Sequence, residues 1–242
     1  MISSTGPKAV FFDLDGTLRH SVPSGADVFT DYAATLGLQV DRESRLRAIR
    51  WEHLYWASSV DLRDDLLAHS DDTENFWIQY SQRRLLALGA SSEWAVEFAP
   101  NVSKHMGEFY KPESIIPDDV RRTLPQLKQA GYILGVISNR DHPFQDLLNE
   151  HGIGEFFDFS LAAGEVNTFK PEPGVFEHGL QRVNLAAQDV VYVGDNYYAD
   201  VVGARRAGLQ PVLYDPLGVF PEPDCTTIKS FDELVSAIKV IE

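Results

Sequence analysis

From Pro117 to the C-terminus, amphipathic stretches and short apolar runs take turns along the chain. "DDVRRTLPQLKQAG" has helical spacing, "YILGVIS" reads as a strand and "HPFQDLLNEHG" as a helix. "FFDFSLA" is a second strand, "PEPGVFEHGLQRVN" a helix, and "DVVYVG" a third strand. "YADVVGARRAG", "LQPVLYD" and "SFDELVSAIKVI" continue as helix, strand and helix. Strands that alternate with helices predict a parallel sheet covered on both faces, the doubly wound, Rossmann-like α/β class. One more strand of the same texture, "AVFF" at residues 9–12, stands apart near the N-terminus.

The nearly one hundred residues between "AVFF" and that alternating region have a different texture. "GADVFTDYAATLGL", "RESRLRAIRWEHLYWA", "TENFWIQYSQRRLLALG" and "SEWAVEFAPNVSKHMGEFY" repeat apolar residues every three or four positions. Asp41, Asp72 and Ser92 are expected N-caps, and Gly37 and Gly89 expected stops. An antiparallel bundle of about four helices would bury these stripes. The expected organisation is an α/β core of residues 1–17 and 115–242, interrupted by an all-helical cap of residues 18–114.

Composition narrows the partners. A net charge of −15 argues against nucleic acid and anionic membrane, since both call for clustered Lys and Arg. No apolar run reaches transmembrane length, and "MISSTGPKAV" lacks the pattern of a secretory leader. The single cysteine, Cys225, allows no intramolecular disulfide. A cytoplasmic monomer or homodimer is the expectation.

In open α/β sheets, ligands bind beyond the carboxyl ends of the strands. Asp13, Asp15 and Thr17 follow "AVFF", Ser138 and Asn139 close "YILGVIS", and Asp195 and Asp200 follow "VVYV". Lys170 lies in "NTFKPEPG", after the "FFDFSLA" strand. Carboxylates gathered on one rim repel unless a cation sits among them, and oxygen ligands suit Mg²⁺. Ser138 and nearby backbone N–H groups can hold phosphate oxygens, so the rim suits phosphoryl transfer. Gly16 lets the chain turn sharply after Asp13 and Asp15.

"DLDGT", "ISN", "KPEPGVF" and "GDNYYAD" resemble, in order, the four motifs of the haloacid dehalogenase-like hydrolase superfamily. The resemblance implies that Asp13 is a nucleophile forming an aspartyl-phosphate, and that Asp15 is the acid and then the base. It implies that Ser138 binds the phosphoryl group and that Lys170 neutralises nucleophile and intermediate. Asp195 would be the acidic Mg²⁺ ligand, joined by the Asp13 carboxylate and the Asp15 carbonyl. Asp200 would be a water-mediated ligand or an orienter of Lys170. Thr17 and Asn139 would support the loop and the phosphoryl oxygens. Dehalogenase members resemble "DxYGT", with no acid two places after the nucleophile; this chain keeps Asp15, as protonation of an alcohol leaving group requires. The implied substrate is a small phosphorylated metabolite, under a mobile cap. Asn196 departs from the Ser or Thr of many relatives.

Within the insertion, Trp51, Tyr55, Trp56 and Trp77 are expected in the bundle core. Arg42, Arg45, Arg47 and Arg50 are expected on a solvated, ion-paired face. Arg19 and His20 directly follow the first motif and are candidates for contact with the leaving group. The seven histidines show no metal-ligand spacing. Three rivals stand beside the hydrolase. One is a phosphomutase that passes the phosphoryl group to a second hydroxyl. The others are a phosphoryl-accepting signalling receiver, which would lack an acid two places after its aspartate, and a non-catalytic binding protein.

Overall fold

The computed structural model describes residues 6–241. The first five residues, part of the stretch read above for a leader, and Glu242 lie outside the described residues. The chain divides into two compact units, one joining the segment up to His20 with that from Ile115 onward, the other comprising Ser21–Ser114.

The first unit opens with β1 (Ala9–Phe12). A short strand, β2 (His20–Val22), makes a separate two-stranded sheet with β3 (Glu113–Ile115). Five helices lie between them in sequence: α1 (Gly25–Thr35), α2 (Arg42–Trp56), α3 (Val60–Ala68), α4 (Thr73–Leu88) and α5 (Ser92–Phe109). The alternating region supplies α6 (Asp118–Ala130), β4 (Ile133–Ser138), α7 (Gln145–Glu150), β5 (Phe159–Ala162), α8 (Ala163–Val166) and α9 (Pro173–Val183). It ends with β6 (Val190–Gly194), α10 (Val202–Arg206), β7 (Gln210–Tyr214), β8 (Thr226–Ile228) and α11 (Leu234–Ile241).

Six strands form one sheet in the order β5-β4-β1-β6-β7-β8, every neighbouring pair parallel. Successive residues of a strand point to opposite faces. Val10 and Phe12 therefore join one core with Leu124, Val136 and Phe231. Ala9 and Phe11 join the other with Ile137, Phe176 and Tyr192. Burial on both faces explains why these strands read as unbroken apolar runs. β1 is central: the chain moves outward through β4 and β5, then returns to place β6 on its other side. That reversal opens a crevice at the carboxyl ends of β1 and β6.

In the helical unit, each helix begins with a side-chain cap. Ser24, Asp41, Ser59, Asp72 and Ser91 each accept a hydrogen bond from the backbone N–H three residues on. The fifth cap is thus Ser91 rather than Ser92, and α3 is a helix beyond the four expected. Phe29, Ala33, Ala48, Leu85, Leu88 and Ala95 are among the residues of its apolar core. Tyr55 is buried as expected, whereas Trp56 and Trp77 are 37% and 44% exposed. These two aromatics are not core residues, contrary to their helical spacing. Arg50 pairs with Glu43, and Arg45 reaches Asp31 on α1 at 2.6 Å.

Candidate active site

Asp13 continues the β1–β6 ladder by one residue, its N–H donating to the Val193 carbonyl at 2.9 Å. This hydrogen bond fixes the Asp13 backbone at the crevice, where the residue is buried. Lys170 reaches the same point from the loop before α9. Its Nζ donates to Asp13 Oδ1 at 2.5 Å, to Asp200 Oδ1 at 2.7 Å and to the Tyr192 hydroxyl at 3.1 Å. Those three acceptors match the three hydrogens of an ammonium.

Burial pushes the Asp13 carboxyl up to about 7, while the Lys170 ammonium pulls the other way. Burial likewise raises Asp200, again opposed by Lys170. For Lys170 burial would favour loss of the proton, but Asp13 and Asp200 outweigh it and hold the ammonium well above its ordinary range.

Asp195 follows β6. Its N–H donates to the Thr17 hydroxyl at 3.0 Å, and that hydroxyl donates to Asp195 Oδ1, also at 3.0 Å. Thr17 is fully buried, and its hydroxyl ties the loop after β1 to Asp195. Asn139 supports the lysine loop. Its Nδ2 donates to the Lys170 carbonyl at 3.0 Å, and its Oδ1 accepts from the Lys170 N–H at 2.7 Å. Both ends of the amide are spent on the backbone of the lysine loop. Ser138 is buried at the end of β4, one strand from Asp13.

Gly16 has a φ of +92°, and a Cβ there would lie 2.5 Å from Asp195 Oδ2. A side chain would both strain this turn and displace the carboxylate. Asp200 sits in a wide π-type turn, Tyr197–Val201, which precedes α10. Its Oδ2 accepts from the Asn196 N–H at 2.9 Å, so Asn196 helps to aim it.

Asp15 faces different partners. Arg140 donates to both of its oxygens, at 2.8 and 3.0 Å, and Arg19 pairs with it too. Burial would raise the Asp15 carboxyl, but Arg140 and then Arg19 hold it below the usual carboxylate range. Arg19 is thus occupied by Asp15. His20 Nε2 donates to the Thr17 carbonyl at 3.1 Å, and its ring meets Tyr214 edge-on.

A family model described as haloacid dehalogenase-like hydrolase matches residues 7–208, a span that takes in Asp13, Asp15, Ser138, Lys170, Asp195 and Asp200. The chain belongs to the haloacid dehalogenase-like hydrolases. It is 26% identical over 235 residues to haloacid dehalogenase-like hydrolase domain-containing protein 3 of Bos taurus, covering 94% of this chain and 92% of that one. It is 30% identical over 217 residues to a glyceraldehyde 3-phosphate phosphatase of Methanothermobacter thermautotrophicus, covering 85% and 84%. Among solved structures, a HAD phosphatase from Thermococcus onnurineus matches with a TM-score of 0.55 at 26% identity, over 95% of this chain and 96% of that one.

Two residues of this haloacid dehalogenase-like hydrolase escaped the sequence reading. Tyr192 was legible only as a strand residue, yet its hydroxyl donates to the Ile137 carbonyl at 3.0 Å and accepts from Lys170. Arg140 directly follows Ser138 and Asn139, and that position past a strand end was the available signal.

The acidic cluster is suited to a divalent cation. Asp13, Asp195 and Asp200 can each bring a carboxylate oxygen within 4.8 Å of the others. Three carboxylates against the single Lys170 ammonium leave two formal negative charges in a crevice where two of the three acids are buried. Hard oxygen donors with an uncompensated charge of this size fit Mg²⁺.

Proposed function

We propose that this hydrolase cleaves the phosphate monoester of a small metabolite through an aspartyl-phosphate at Asp13, with Mg²⁺ as its cofactor. The observation that carries the proposal is Lys170 Nζ lying 2.5 Å from Asp13 and 2.7 Å from Asp200. An ammonium at the nucleophile opposes the effect of burial on Asp13 and offsets charge as an anionic phosphoryl group approaches.

Asp13 attacks phosphorus through a carboxylate oxygen, and the bond to the ester oxygen breaks. Asp15 gives its proton to the departing alkoxide, then takes one from the water that attacks the phospho-aspartate. Inorganic phosphate leaves and Asp13 is restored. Ser138 donates a hydrogen bond to a phosphoryl oxygen during both steps. Asp13, Asp195 and the Asp15 carbonyl would hold the Mg²⁺, which supplies Lewis-acid stabilisation of phosphoryl charge when bound. Asp200 holds Lys170 in position, and Thr17 holds Asp195.

Asp15 favours an ester over a carbon–halogen bond, because a halide leaves without a proton. Phosphatase names among the relatives support the same choice, as does the glyceraldehyde 3-phosphate named for one of them. The test is phosphate release from a panel of small phosphate esters with Mg²⁺ present. Turnover that is lost in Asp13→Asn and on addition of EDTA supports the reading. Absence of phosphate release across the panel contradicts it.

A further inference from the structure

The helical unit carries a half-open cavity of about 990 Å³, walled by α1, α2, α4 and α5. Three aromatic rings cluster on it: Trp56 and Trp77 lie 6.2 Å apart, and each is 5.6 Å from Tyr80. Both tryptophans are more than one-third exposed, an unusual amount of apolar surface to leave beside a cavity.

Charge on the wall has a definite sense. Its cations are Arg84 and Lys104, and both already have acids: Arg84 pairs with Glu52 at 2.8 Å, Lys104 with Glu108 at 3.9 Å. Its acids are Glu52, Glu74 and Glu108, one more than the cations. Glu74 has no ion-pair partner among the described residues. Glu52 spends only Oε1, which accepts from the Tyr80 hydroxyl at 2.6 Å and from Arg84. Its Oε2 has no hydrogen-bond partner among the described residues. Arg84 is buried and spends Nη1 on Glu52, which leaves Nε without a hydrogen-bond partner among the described residues, so it offers a ligand one N–H rather than a free charge. A cation meets a ready carboxylate and aromatic faces that attract positive charge. The chain's net charge of −15 favours the cation further.

We propose that this cavity is a binding site for a small organic cation, a protonated amine on an apolar or aromatic body. The ammonium sits at Glu52 Oε2 against the Trp56 and Trp77 faces, and the body lies along Ile78 and Met106. The Phe29 ring is not available to the ligand's charge, because the Arg84 guanidinium already covers it at 4.7 Å.

Three probes of one size separate the charge states: phenethylamine, phenethyl alcohol and phenylacetate, each titrated calorimetrically into the full chain. Binding needs no turnover, so this test is independent of the phosphatase reading. The amine is expected to saturate and to bind roughly tenfold more tightly than the alcohol, with phenylacetate weakest. Glu52→Gln is expected to bring the amine down to the level of the alcohol. Glu52 also neutralises buried Arg84, so Trp77→Leu provides a second variant away from that pair, expected to weaken the amine about tenfold. Phenylacetate binding as tightly as the amine, no saturable binding of the amine, or unchanged amine affinity in Trp77→Leu would each overturn the proposal.

Discussion

Arg140 grips Asp15 with two parallel hydrogen bonds, Nε to Oδ2 at 2.8 Å and Nη2 to Oδ1 at 3.0 Å. Asp15 is the group proposed to shuttle the proton, so its basicity is set by an arginine 125 residues away in sequence. The pair lowers the Asp15 pKa, and Arg140→Met should raise it. Both limbs that report on Asp15 then move to higher pH. These are the basic limb of kcat/KM, where Asp15 must carry a proton, and the acidic limb of kcat, where dephosphorylation needs it bare. A pH–rate profile with both limbs unmoved contradicts this role for Arg140.

Lys170→Met removes the ammonium between two buried carboxylates. Breaking a buried pair from one side costs about 3–5 kcal/mol. Asp13 and Asp200 can recover part of that by taking up protons, so the loss in melting temperature should be larger near pH ~8 than near pH ~5. Turnover of an aryl phosphate should fall at least about a hundredfold, as for other lost charge-stabilising donors. An unchanged melting temperature at both pH values would show that Lys170 carries no such weight.

Burial lifts Asp13 to about 7 from an ordinary 3.8. A carboxyl raised in the folded state holds its proton there longer than in the unfolded chain. Its contribution to stability is full below the unfolded value and is lost as pH climbs through the folded one. Metal-free wild-type protein should therefore lose stability relative to Asp13→Asn as pH rises from about 4 to about 7. Mg²⁺, which favours the ionised form, should flatten that difference. Thermal melts of both proteins across this range, with and without Mg²⁺, provide the check; parallel curves throughout would show Asp13 unshifted.

Gly16→Ala places a methyl group 2.5 Å from Asp195 Oδ2 at a φ of +92°. Backbone strain alone costs about 1–3 kcal/mol. The more specific consequence is displacement of Asp195, so half-maximal turnover should require more Mg²⁺ than in the wild type. An unchanged Mg²⁺ titration would mean that Gly16 does not shape the position of Asp195.

Much of the core was legible because its strands are buried on both faces and write themselves as apolar runs. β8 was missed, since "TTI" is three residues long and only Ile228 is buried. α3 was missed for a different reason. Its one fully buried residue is Asp65, which accepts from the Tyr55 hydroxyl and from Arg83, while Leu66 and Leu67 are exposed. A helix anchored by a polar contact leaves no apolar stripe to read. In the site, strand ends pointed to Asp13, Lys170 and Asp195, but hydrogen-bond partners depend on which strands are neighbours. Tyr192 thus holds Lys170 through a contact that spacing alone could not reveal. Trp56 and Trp77 have the helical spacing of core residues, and only the cavity beside them explains their exposure.

The central claim is covalent: the phosphoryl group passes through Asp13. Asp15→Asn should slow hydrolysis of the intermediate more than its formation from an aryl phosphate, whose leaving group needs little help from an acid. Acid-quenched Asp15→Asn protein, digested and mapped by mass spectrometry during turnover, should carry one added phosphoryl group on Asp13. Turnover with no adduct on that peptide, or with the phosphoryl group on another residue, would contradict the account.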